Sequence, residues 1–224
     1  MAITTPVAYW KLDESSGNAA DSVGSNTLTA GTVSYAAGKI NNGASFTTGL
    51  TSSTSPVSGT GAWSISMWYK SSTTGTNKQL LLFGNSSQAS KATIYLYAST
   101  TNNIQLDTSG AGLITSSSAA TLNGSYHHLV VTSSGNSFNM YIDGASAGSG
   151  STTGMNLGSD QMAIGYDNLN SRFAWGAQID EVGFWNVVLS GTEISDLYNG
   201  GAGVSYPFTS GATDTNALSM GMAF

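Results

Sequence analysis

Two aspartates, Asp13 and Asp21, bracket the polar loop Glu14-Ser-Ser-Gly-Asn-Ala-Ala20 and have the right chemistry to hold a hard cation. Calcium takes about six to eight oxygens from carboxylates, carbonyls and waters. The loop offers two carboxylates and flexible carbonyls, and Asp180, late in the chain, can approach as a third. The alternating acidic pattern of an EF-hand is absent. An Asx-turn, in which Asp13 and Asp21 bond their own backbone, uses the same residues with no ion. A structural calcium on Asp13, Asp21 and Asp180 is the one cofactor expected.

Acid–base chemistry has fewer candidates. A glycosidase needs two carboxylates facing each other about 5–9.5 Å apart. Asp180 and Glu181 are neighbours on a predicted strand, so regular alternation turns them to opposite faces. His127 and His128 are adjacent in the same way and cannot chelate one ion together. Packing of one and hydrogen bonding of the other is the simpler reading. With no HExxH zinc motif, GxSxG elbow or P-loop, the sequence predicts no catalytic residues and no enzyme.

Sugar recognition needs aromatic faces beside fixed polar groups. Tyr95 and Tyr97 share one side of a predicted strand, and Trp68 is expected in the same groove. The loop holding Tyr166, Asn168, Asn170 and Arg172, followed by Trp175, is polar with an aromatic edge. These eight are the candidate carbohydrate-binding residues, with ordinary sheet packing as the competing role for each aromatic.

The elements that must position these residues are strands. Trp63, Ile65, Met67 and Tyr69 alternate with Ser64, Ser66, Trp68 and Lys70. Ser125–Thr132 and Phe138–Gly144 form a meander around Ser133-Ser-Gly-Asn136, closed by Asp143-Gly144. Val7–Leu12, Ala44–Phe46, Gln79–Gly84, Ala92–Ala98, Asn103–Asp107, Met162–Gly165 and Ala177–Trp185 complete a set of short strands typical of a two-sheet sandwich. One helix is expected. Ser190-Gly-Thr-Glu193 fits a capping box, Leu189 and Ile194 a hydrophobic staple, and Gly200-Gly201 a stop. A charged fraction of only 8% leaves solubility to Ser, Thr, Asn and Gly. The net charge of −6, with six Lys and Arg in 224 residues, provides no basic stripe for nucleic acid. No apolar run reaches membrane-spanning length. Absence of cysteine frees the fold from an oxidising compartment. Met1–Trp10 lacks the basic-then-apolar pattern of a signal peptide.

In this order, Tyr9-Trp-Lys-Leu-Asp-Glu-Ser-Ser-Gly17 with Asp21-Ser22, Gly38–Phe46, Ser64–Trp68, the His-His hairpin and Ile179–Asn186 resemble the laminin-G-like, concanavalin A-like jelly-roll family. The match runs from about residue 7 to residue 201, with Tyr126 where members usually carry Trp. The resemblance implies an all-β, two-sheet antiparallel jelly-roll sandwich with one short C-terminal helix. It also implies binding of glycans or proteins, histidines without catalytic role, and often a calcium where first and last strands meet. The glycosidase motif of this fold, Glu-x-Asp with a further Glu, is missing.

Two domains of description follow: a laminin-G-like sandwich over 1–203 and an extended tail over 204–224, expected to dock on a partner chain. Phage versions of the family end like Leu197–Phe208, which points to a virion surface protein: head decoration, head fibre or tail-associated. Such a protein is assembled in the host cytoplasm and bound to other virion proteins and copies of itself, with possible adhesion to host glycans. The alternative is a carbohydrate-binding module of a secreted or surface bacterial protein, extracellular in location. Neither reading involves nucleic acid or membrane insertion.

Overall fold

Alternation along a strand divides side chains between two faces, and here both faces of the central strands are buried. The computed structural model describes residues 3–72, 78–85, 91–97, 103–108, 112–116, 122–167, 172–173 and 177–208, with backbone alone at 95–97, 112–113, 167 and 172–173. In chain order the strands are β1 (Ala8–Trp10), β2 (Thr29–Ala30), β3 (Val33–Ala37), β4 (Asn42–Phe46), β5 (Leu50–Ser52) and β6 (Trp63–Ser71). Then come β7 (Lys78–Gly84), β8 (Ala92–Tyr97), β9 (Asn103–Thr108), β10 (Gly112–Thr115), β11 (Tyr126–Ser134) and β12 (Ser137–Ile142). The series closes with β13 (Ala145–Ser151), β14 (Gln161–Ile164), β15 (Tyr166–Asp167), β16 (Arg172–Phe173), β17 (Ala177–Trp185) and helix α1 (Gly191–Tyr198).

These strands make two antiparallel sheets and the small β15–β16 pair. One sheet runs β13-β12-β11-β6-β17-β4-β3 with β1 also beside β17; the other runs β10-β9-β8-β7-β14-β5-β2. Between them lies the main core, where Trp63 meets Phe83 at 5.2 Å and Phe83 meets Phe184 at 5.3 Å, both edge to face. Trp63, Ile65, Met67 and Tyr69 all point into this core, as their spacing requires. The expected all-β sandwich with one short helix is the observed fold. Among the described residues no helix is long and apolar enough to cross a membrane.

The outer face of the first sheet is covered by the end of the chain. Ser190 accepts from the Glu193 amide, Glu193 reaches back to Ser190, and the capping box starts α1 as predicted. Asn199, in the left-handed region at φ 49°, ends it just before the glycine pair. Leu189, Ile194 and Leu197 pack on Tyr9, Val130 and Trp185, and Val204, Tyr206 and Phe208 extend this second cluster. Phe208 stacks on Trp185 with centroids 6.3 Å apart and meets Tyr9 edge-on at 5.6 Å. The first five residues assigned to the tail, 204–208, thus lie on their own sandwich; 209–224 fall outside the described residues.

The sharpest departure from regular alternation is in β17. Ile179 and Val182 both face the main core, so the two residues between them take the place of one. The pairing with β6 shifts between Asp180 and Gly183, and Glu181 has φ 51°. The cause is a change of neighbour: β4 pairs with Gln178–Ile179 and β1 with Val182–Phe184. The bulge bridges the two strand ends. Asp180 and Glu181 therefore do not alternate as the sequence suggests; Asp180 reaches the amides of Lys39 and Ile40, and Glu181 lies near the Tyr9 and Ser205 hydroxyls.

Candidate functional site

At one end of the sandwich, β4, β6 and β17 finish around a hollow of about 310 Å³ lined by Ser45, Phe46, Lys70, Ser71, Ser72 and Gln178, among others. Register explains the grouping, because Gln178 lies opposite both Ser45 and Lys70. Phe46 is nearly buried and forms an apolar patch in the wall. Gly165 packs against its ring with φ 73°, so any side chain there would strike the ring. The Lys70 ammonium sits 4.8 Å from the centroid of the Tyr126 ring and makes no ion pair with a described residue. The Gln178 Nε2 donates to the carbonyls of Ala36, Ala37 and Gly43 at 3.2, 3.3 and 3.2 Å, which fixes one wall.

This hollow adjoins the expected polar loop at both of the loop's roots. Tyr166 follows Gly165, which packs on Phe46, and Ala177, after Trp175 and Gly176, lines the hollow itself. Tyr166 is half-buried and touches Gly49. The Arg172 backbone pairs with Asp167 across β15 and β16. Asn168, Asn170 and Trp175 lie outside the described residues.

The groove expected from Trp68, Tyr95 and Tyr97 is not formed by one surface. Tyr95 and Tyr97 belong to β8 in one sheet and Trp68 to β6 in the other. Trp68 is 2% exposed. Its ring lies 4.9 Å from His128 and 5.9 Å from Tyr198, with the Lys39 ammonium 4.6 Å from its centroid. It packs the helix onto the sheet and presents no open face. Tyr95 stands opposite Gln79 and Gln105, and Tyr97 opposite Asn103, in the backbone register.

The three aspartates named for calcium are each held by amide donors. Asp13 accepts from the Asn42 amide and the Asn41 side chain, both at 3.1 Å. Asp21 accepts from the amides of Tyr9 and Val23 at 3.0 Å and from Asn26 at 3.0 and 3.1 Å. Those donors hold its carboxyl below the ordinary range, although burial pushes the other way. Asp180 accepts from Lys39 and Ile40 at 2.7 and 3.0 Å. N–H groups face both oxygens of Asp13 and Asp21 and one oxygen of Asp180, competing with a cation for their lone pairs, and no metal-holding group of three forms among the described residues. Asp13, Asp21 and Asp180 therefore do not fit calcium as one set.

Asp180 and Glu181 remain chemically unusual. Burial pushes Asp180 up to about 8 against the pull of its amide donors, and Glu181's charge adds to the rise. Burial likewise pushes Glu181 up to about 7, with the Tyr9 and Ser205 hydroxyls pulling it down. The Asp180 Oδ1 has no hydrogen-bond partner among the described residues. The histidines divide as expected. His127 Nδ1 meets Asp143 at 2.7 Å, while His128 is buried with Nε2 2.7 Å from the Ser66 hydroxyl. Burial lowers the His128 pKa to about 4, so the ring is neutral at pH 7.

The lectin-like layout of sheets and loops has a family counterpart. The chain belongs to the concanavalin A-like lectin/glucanase superfamily, whose Laminin_G_3 family model matches residues 41–195, more than half of its length. No curated protein matches it in sequence. Among solved structures it is similar to domain 4 of AbnA, an extracellular GH43 arabinanase from Geobacillus stearothermophilus, in complex with arabinotriose. That likeness has TM-score 0.66 and 19% identity over 86% of this chain and 97% of that one. The binding domain of Paraclostridial Mosquitocidal Protein 1 is similar at TM-score 0.67 and 15% identity, over 87% of this chain and 52% of that one. Trypanosoma rangeli sialidase, in complex with the inhibitor DANA, aligns at 0.66 and 13% identity, over 91% of this chain but only 34% of the sialidase. At these identities the likeness is one of fold.

Lys70, Gln178 and the serines around them were not among the residues expected from sequence. The signal for Lys70 was its position at the polar end of an otherwise apolar strand; Ser45 and Gln178 carried none.

Proposed function

We propose that the chain is a non-enzymatic recognition protein of a virion surface: a head decoration, head fibre or tail-associated protein. On this reading its apex grips host or glycan surfaces, while the tail beyond the Val204–Phe208 segment, 209–224, attaches it to other virion proteins or to further copies of itself. One observation carries the reading. Strand β17 begins with Ala177 in the hollow and ends with Trp185 beneath Phe208. With one residue spent in the bulge, about seven strand steps of about 3.3 Å separate those points by roughly 23 Å. That separation supports a layout with recognition at one end of the strand and attachment at the other, as suits a surface-mounted adhesive protein.

A second reading, a carbohydrate-binding module of a secreted or surface bacterial protein, is supported by the fold likeness to nearly the whole of an arabinanase domain. Both readings expect glycan binding on an array probed with the protein held through its C-terminus. Mass spectrometry of purified particles from the source host separates them. Presence in particles is expected; absence from particles with glycan binding retained would favour the bacterial module. Failure to bind any glycan or host surface would overturn the adhesive role in both.

A further inference from the structure

The hollow at the apex has a wall of donors. Lys70 brings an ammonium with three N–H groups, and Ser45 and Ser72 bring hydroxyls that can turn to donate. Among the described residues no Asp or Glu lines it. The Gln178 Nε2, which would otherwise be another donor, is spent on three backbone carbonyls. A neutral sugar carries hydroxyls that both donate and accept, so it pairs with donors and acceptors alike. A carboxylate carries acceptors alone. The wall therefore suits the second kind of ligand.

Charge points the same way. Lys70 makes no ion pair with a described residue, and its nearest aromatic neighbour is the Tyr126 ring face at 4.8 Å. Burial holds the Tyr126 hydroxyl above its ordinary range, so the ring beside Lys70 carries no charge. The volume, about 310 Å³, is at the small end of ligand sites and suits one sugar ring. A single lysine also discriminates among anions: sulfated polymers are gripped by clusters of cations, and this chain has six Lys and Arg in all. The net charge of −6 opposes an acidic ligand at long range, but salt screens that field beyond about 8 Å while the contact persists.

We propose that the hollow binds the carboxylate of an acidic sugar, a uronate or sialate unit of a glycan, with the Lys70 ammonium as counter-ion and the serine hydroxyls as further donors. The proposal rests on the recognition reading above and names the ligand class for that site. The Phe46 ring would give the apolar face of the sugar its contact.

Isothermal titration calorimetry on the full chain tests it, with trigalacturonate against galactotriose and sialyllactose against lactose. A heparin tetrasaccharide is the sulfated arm. At least one carboxylated probe should bind about tenfold or more tighter than its neutral partner, the usual worth of a charge-assisted hydrogen bond. That preference should shrink as salt is raised. Lys70→Gln should abolish the preference with its unfolding temperature unchanged, and Lys70→Arg should keep it. Equal binding of neutral partners, an intact preference in Lys70→Gln, or stronger binding of the heparin probe would each overturn the carboxylate assignment and leave the recognition reading standing. Absence of binding by every glycan would overturn both.

Discussion

Glu193 ties three parts of the chain together, and replacing it by glutamine isolates what that tie contributes. One carboxylate oxygen accepts from the Thr4 amide at 2.9 Å and the Thr4 hydroxyl at 2.6 Å. The other accepts from the Ser190 amide at 2.8 Å and its hydroxyl at 2.7 Å. Burial by itself would raise the pKa, but the Thr4 and Ser190 donors outweigh it and bring 4.5 down to about 2. At ~1.4 kcal/mol per pKa unit, that shift corresponds to ~3 kcal/mol of native-state stability. Glutamine keeps one acceptor but turns an NH₂ toward two donors, so Glu193→Gln should lose ~2–3 kcal/mol at pH 7. For a chain of this size that is a fall of roughly 5–10 °C in Tm. The sign of the pH dependence is fixed by a depressed carboxylate. The stabilisation is fully present above pH 4.5 and fades as pH falls toward 2. Urea unfolding followed by tryptophan fluorescence reports on the clasp, because Trp185 donates to the Thr4 carbonyl at 2.7 Å. The gap between wild type and variant should shrink below about 1 kcal/mol at pH 2.5. No loss at pH 7, or an equal loss at both pH values, would refute the reasoning.

Asp180 and Glu181 predict the opposite slope, since the folded protein keeps protons there that the unfolded chain releases. Their stabilising effect is complete below the ordinary carboxylate range and is lost as pH rises toward 8. Wild type should lose ~2 kcal/mol or more between pH 5 and 8.5, and Asp180→Asn should flatten that decline; parallel urea curves for the two proteins would contradict it. EDTA should move Tm by less than about 1 °C, because the lone pairs of Asp13, Asp21 and Asp180 already face N–H donors. A fall of several degrees reversed by calcium would put an ion among them. Gly165→Ala should cost ~2–4 kcal/mol, combining a left-handed backbone with a collision on Phe46. Calorimetry showing an unchanged Tm would refute that packing. Phe208→Ala should cost ~1–3 kcal/mol by uncovering Trp185 and Tyr9; an unshifted tryptophan emission maximum would mean the strap does not cover them in solution.

Local chemistry made much of the fold legible. The alternation of Trp63 to Lys70 gave the correct inner face, and the Ser190–Glu193 box placed α1 to the residue. Strands without apolar alternation were invisible: Ala145–Ser151 is all small or polar, and it is a strand because β12 pairs along its length. The bulge at Asp180 was equally hidden, since it arises from the handover between β4 and β1 and those partners are far away in sequence. Trp68 misled for a related reason. Alternation turned it correctly out of the main core, but only the packed helix reveals that this outer face is itself buried. The hollow is the extreme case, assembled from strand ends that share no local pattern.

The clasp on Glu193 and the strap on Trp185 bring Thr4 and Phe208 to one side of the sandwich. Thr4 bonds to α1 and to Trp185, and the Tyr9 hydroxyl reaches toward the Val204 carbonyl at 3.4 Å. The first described residues and the Val204–Phe208 segment are therefore stitched together away from the hollow. A sandwich built this way behaves as an interchangeable head on a fixed stem. Changes in the length or sequence of the loops around the hollow therefore leave both fastenings undisturbed. Variation in what is gripped is thus uncoupled from variation in what it is mounted on.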